Sequence, residues 1–63
     1  MPSLLVVKDL QDKKLLSRVV HREESIPVLK DKIQTEAVKL FELDSTQVTV
    51  TLNSDWNMGD LVA

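Results

Sequence analysis

Cysteine is absent from this chain of 63 residues. Neither a disulfide nor a thiolate metal site can brace it, at a length where a hydrophobic core alone leaves little margin. The same absence fits a reducing compartment. Tyrosine is also missing, and Phe41 and Trp56 are the only aromatics. Eight basic and 10 acidic side chains, interspersed along the chain, give a net charge of −2. That balance supplies neither the basic stripe nor the stacking platform that nucleic-acid binding requires. No apolar run approaches the roughly 20 residues of a membrane span. Met1-Pro2-Ser3 lacks the basic and apolar regions of a secretory leader. The expectation is a cytoplasmic chain forming one domain over residues 1–63, with no nucleic-acid partner, no membrane partner and no cofactor.

What is present is a short alternation of β-type and helical patterns. Leu4-Leu5-Val6-Val7 is a compact β-type run, and Leu15-Leu16-Ser17-Arg18-Val19-Val20 is a second. The polar residues 9–13 between them form a turn, with no glycine to fix its type. A helix over 10–24 is the competing pattern, and the β-branched Val19-Val20 argues against it. After the charged His21-Arg22-Glu23-Glu24, Ser25 is placed to cap a helix with Pro27 in its first turn. Leu29, Ile33, Ala37, Leu40 and Phe41 then recur on one helical stripe, with Lys30, Lys32, Gln34, Glu36 and Lys39 on the other side. Asp44-Ser45-Thr46 reads as a turn. Val48, Val50 and Leu52 alternate with Thr49 and Thr51 as in a half-buried strand. The last eight residues hold the only glycine, Gly59, and are consistent with a helical turn or an edge strand.

The first hairpin carries apolar residues on both faces. Leu5, Val7, Leu15 and Val19 are expected to face the helix, and Leu4, Val6, Leu16 and Val20 to face away. One helix covers one face of a small sheet, so the second set must stay exposed or meet something else. The expectation is a protein partner, a second copy of the chain included.

Val7-Lys8-Asp9-Leu10, with Lys13, Leu15 and Val19, resembles the first hairpin of the ubiquitin-like domains. Ser25-Ile26 followed by Leu29-Lys30-Asp31-Lys32-Ile33-Gln34 is similar to the start of their helix. The resemblance implies an α+β fold, a small ubiquitin-like β-grasp in the order strand, strand, helix, strand with a short C-terminal segment. It also implies a non-catalytic protein–protein interaction module. Twenty-two residues follow Phe41, too few for the usual two further strands, and no C-terminal Gly-Gly supports conjugation. Thr51-Leu52-Asn53-Ser54-Asp55 with Asp60-Leu61-Val62 resembles the tail of the Phox-and-Bem interaction domains. That resemblance would put Lys8 at a basic docking position. The acidic loop of the opposite docking face is missing. A weaker resemblance, through Met1-Pro2, Val48-Thr49-Val50 and Trp56-Asn57-Met58-Gly59, is to the 4-oxalocrotonate tautomerase family. It implies an enzyme with Pro2 as general base, once Met1 is removed, and Arg18 or Arg22 holding a substrate carboxylate. Pro27, which would interrupt that family's long helix, argues against it.

The candidate partner-binding residues are therefore Leu4, Val6, Leu16 and Val20 on the outward hairpin face, the basic cluster of Lys8, Lys13, Lys14 and Arg18 beside it, and Trp56. His21, the only histidine, has no second histidine or cysteine to work with, and adjacent Glu23 and Glu24 point apart on extended chain. No catalytic, cofactor-binding or metal-binding residue is assigned under this reading. An unpaired sheet edge could also accept a partner's strand.

Overall fold

The computed structural model describes residues 2–62. The chain forms an α+β domain with one three-stranded antiparallel sheet: β1 (Ser3–Asp9) lies in the centre, β2 (Lys14–Val20) on one side and β3 (Val48–Asn53) on the other. One helix, α1 (Ile26–Phe41), connects β2 to β3. Both outer strands run antiparallel to β1 and hence parallel to each other. Parallel strands need a crossover connection, and α1 supplies it across the strand between them.

The hairpin turn is built without glycine. Asp12 takes the left-handed conformation at φ 68°, a place where aspartate is tolerated better than most residues. The Asp9 carboxylate accepts from the Gln11 and Lys13 backbone N–H groups at 2.9 and 2.8 Å, and Asp9 N–H donates to the Lys13 carbonyl. The register then slips by one residue, with Val7 opposite Leu16 but Lys8 opposite Lys14, so Leu15 is the extra residue of a bulge.

That register corrects the expected faces of β2. Leu5 and Val7 lie opposite Arg18 and Leu16, and Ser3 opposite Val20. Leu16 and Val20 thus point to the helix side with Leu5 and Val7. Val19, opposite Leu4, points to the far side. A one-residue slip exchanges the two faces of a strand, and the turn geometry that sets the slip cannot be read from apolar alternation in a strand apolar on both faces.

On the helix side, Leu5, Val7, Leu15, Leu16, Val20, Ile33, Ala37 and Val48 form the core, with Ile26, Leu29, Val38, Leu43 and Val50 packed against it. The expected helical stripe is buried only in part. Ile33 and Ala37 are enclosed, but Leu40 is 64% and Phe41 39% exposed. Glu42 reverses the chain there at φ 54°, and the Glu42 and Leu43 N–H groups both meet the Val38 carbonyl. This left-handed cap returns Leu43 to the core in place of Leu40. At the other end Ser25 occupies the cap position, but its hydroxyl donates back to the Arg22 carbonyl at 2.7 Å rather than accepting from the helix. The helix starts from a short 3-10 turn at Glu23–Ser25 with Pro27 in its first turn.

Candidate functional site

β1 is buried on both faces: Leu4, Leu5, Val6 and Val7 are each 0% exposed. Leu5 and Val7 lie under the helix. Leu4 and Val6 point the other way, with Val19, Ser17, Thr51 and Asn53 beside them across the strand pairs. Among the described residues, the segment that closes this second face is 54–62, which folds back over the sheet after β3. Three contacts fix its path. The Trp56 indole N–H donates to the Pro2 carbonyl at 2.9 Å, at the end of the sheet where β1 begins. Lys14 Nζ on β2 donates to Asp60 Oδ1 at 3.1 Å. Further along β2, the Ser17 hydroxyl accepts from the Val62 N–H at 2.6 Å and donates to the Val62 carbonyl at 3.1 Å.

Ser17 is the only polar residue buried among the described ones, at 4% exposure, and the Val62 backbone satisfies it fully. Asp60 links the segment's own shape to its anchorage. Its second oxygen accepts from the Asn57 N–H at 3.0 Å, while Gly59 N–H donates to Asn57 Oδ1. The Asn57 hydrogen bond, reinforced by the Lys14 ammonium, holds the Asp60 carboxyl below the ordinary aspartate range.

The four apolar residues expected on the outward hairpin face are therefore buried in the chain itself. Leu4 and Val6 lie beneath the chain's own C-terminal segment, and Leu16 and Val20 are in the helix-side core at 3% exposure each. The physical reason for the difference is that the nine residues 54–62 carry too little apolar periodicity to announce a cover. They act through the half-buried Trp56 and Val62 and through hydrogen bonds of the Trp56 indole, the Asp60 carboxylate and the Val62 backbone.

The basic cluster is divided and largely paired. Lys8 and Lys14 are directly opposite across β1 and β2, an unfavourable placement for like charges. Each has its own carboxylate: Asp12 at 3.5 Å from Lys8, and Asp60 at 3.1 Å from Lys14. Arg18 points to the helix side, where its guanidinium meets Glu36 at 2.7 Å and its own neighbour's carbonyl on Ser17 at 2.8 Å. Lys13 is exposed in the turn and takes part in none of the ion pairs among the described residues. Trp56 is half-buried and shares a shallow cleft with Pro2, Ser54 and Asp55. Arg18 is not among the residues lining that cleft, and Met1 lies outside the described residues. Among the described residues no three of His, Asp and Glu gather as metal ligands would, and no helix is long and apolar enough to cross a membrane.

What the structure leaves open is a strand edge. β3 pairs with β1 along its whole length, from Val48 opposite Asp9 to Asn53 opposite Leu4. Its other side has no strand beside it among the described residues. The six residues Val-Thr-Val-Thr-Leu-Asn contain no charge, no proline and no glycine. Natural edges are ordinarily blunted by a charge, a proline or a bulge. β2, the opposite edge, has all but the proline: Lys14, Arg18 and the Leu15 bulge, with the Val62 backbone held against it. Beside the β3 edge stands an apolar fringe. Leu52 is 41% exposed on the helix side of the strand. Phe41 lies about 140° around α1 from Glu36, at 3.6 residues per turn, and Glu36 leans to β2, so Phe41 is on the β3 flank. The sequence contained this signal in its uncharged Val/Thr alternation, but nothing in it says which strands become edges.

No protein-family profile, no characterised protein and no solved structure matches the chain.

Proposed function

We propose that this chain is a non-catalytic protein-recognition module of the β-grasp kind, and that it engages its partner by accepting a strand along the outer edge of β3. The observation that carries the reading is the uncharged, unbulged edge Val48–Asn53 with Leu52 and Phe41 exposed beside it. Main-chain hydrogen bonds along such an edge supply affinity, and the flanking side chains supply selectivity. The β-grasp kinship rests on the hairpin followed by a helix packed on one sheet face, and on the sequence resemblance of both. The interior position of Leu4, Val6, Leu16 and Val20, together with the paired state of Lys8, Lys14 and Arg18, supports reading the β3 edge rather than the hairpin as the docking surface.

Selection of a random peptide library against the protein tests this. Binding peptides should shift the backbone amide resonances of Val48–Asn53 and lose affinity for the Thr49→Glu variant. Thr49 is exposed and faces Lys8 across the β1 pair, so the added carboxylate suits the monomer and burdens only the edge. Peptides that map to the hairpin, or that bind Thr49→Glu unchanged, would refute the edge as the docking surface.

A further inference from the structure

We infer that the strand taken up at the β3 edge is β3 of a second copy of this chain, giving a two-fold dimer with one continuous six-stranded sheet. The inference rests on the reading of β3 as an acceptor edge and names its occupant. Three observations favour a second copy.

First, β3 is self-complementary. In an antiparallel pair centred on Val50, Val50 meets Val50 of the partner subunit, Thr49 meets Thr51 of the partner subunit, and Val48 meets Leu52 of the partner subunit. Every pair is apolar with apolar or hydroxyl with hydroxyl, and such β-branched and Thr–Thr pairs are favourable across strands. No like charges are brought together, since the strand has none.

Second, the faces agree. Val48, Val50 and Leu52 lie opposite Asp9, Val7 and Leu5, on the helix side of the sheet. The pairing puts both helices on one side and brings Phe41 towards Leu52 of the partner subunit, covering the two partly exposed groups on the β3 flank. A register shifted by one residue would set valine against threonine and reverse the faces.

Third, the assembly closes. Joining β3 to β3 consumes both unguarded edges and leaves only the two β2 edges outside. Those carry Lys14, Arg18 and the bulge at Leu15. An isologous pair therefore stops at two copies, whereas β3 added to β2 would propagate. A chain of 63 residues without cysteine has the most to gain from such an addition to its core.

Sedimentation equilibrium of the full chain over a range of concentrations, with charge variants, decides the matter. Wild type should pass from one to two copies as concentration rises. Thr49→Glu should weaken the dimer at least about tenfold, as should Thr51→Lys. Mixing those two variants should restore a heterodimer, because the Val50-centred register sets position 49 of one copy against position 51 of the other. A wild-type chain that stays monomeric at millimolar concentration would overturn the inference, as would a dimer that Thr49→Glu leaves intact. If library peptides still shift the β3 amides of such a monomer, only the identity of the occupant fails. If they do not, the acceptor-edge reading fails with it.

Discussion

The two faces of the sheet are closed in different ways. The helix side is sealed by side chains at regular spacing, Ile33 and Ala37 on α1 against Leu5, Val7, Leu16 and Val20. The far side is sealed by nine residues with little regular structure, pinned by hydrogen bonds donated by Trp56 and Val62 and one accepted by Asp60. Burial at Leu4 and Val6 nevertheless equals that at Leu5 and Val7. A periodic element is thus not needed to bury a strand face. What is needed is a segment whose own polar groups find partners: Ser17 takes both backbone groups of Val62, and the Pro2 carbonyl takes the Trp56 indole N–H.

If the two faces are equally closed, they should respond equally to a cavity. Leu4→Ala should cost about 2–5 kcal/mol, close to the cost of Leu5→Ala, since each side chain is fully enclosed. Urea unfolding of the two variants checks this. An open far face would show up as a Leu4→Ala cost well under that of Leu5→Ala.

A smaller effect separates the faces. Ser17→Ala removes both hydrogen bonds to Val62 and should cost about 1–2 kcal/mol. Amide exchange should accelerate across 56–62 while α1 keeps its protection, because the helix side owes nothing to that hydroxyl.

The smallest effect is set by pH. The folded-state value of Asp60 lies below the ordinary 3.8, through the Asn57 N–H and the Lys14 ammonium. Its contribution is fully present above that ordinary value and is lost as pH falls through the depressed folded one. The C-terminal segment should therefore loosen in acid below about pH 3.8. Emission from Trp56, the single tryptophan, reports it, and Asp60→Asn should remove this acid step. An emission profile identical in the variant would detach Asp60 from the anchorage.

The two faces also differ in how legible they are in the sequence. The strands near Leu4 and Val48 and the helix through Ile33 follow from apolar spacing, because spacing is what burial under a regular element requires. The α+β class follows with them. The facing of Leu16 and Val20 does not, since it is set by Asp12 in a left-handed turn and by the Leu15 bulge. The exposure of Leu40 and Phe41 does not, since the left-handed Glu42 returns Leu43 to the core instead. The two-sided apolar character of Leu4-Leu5-Val6-Val7 correctly signals a second cover. The sequence pattern cannot say that the cover is the chain's own residues 54–62, whose hold is made through hydrogen bonds rather than apolar spacing. The edge position of β3 comes from topology alone.

The closure of the far face requires residues 54–62 to lie across Leu4 and Val6. A methyl-resolved nuclear Overhauser spectrum of the protein tests it directly. The Leu4 and Val6 methyl groups should show cross-peaks to protons of residues 56–62, and the Ser17 β-protons should show one to the Val62 amide. Methyl groups of Leu4 and Val6 that see only sheet neighbours, with fast-exchanging amides throughout 54–62, would contradict it.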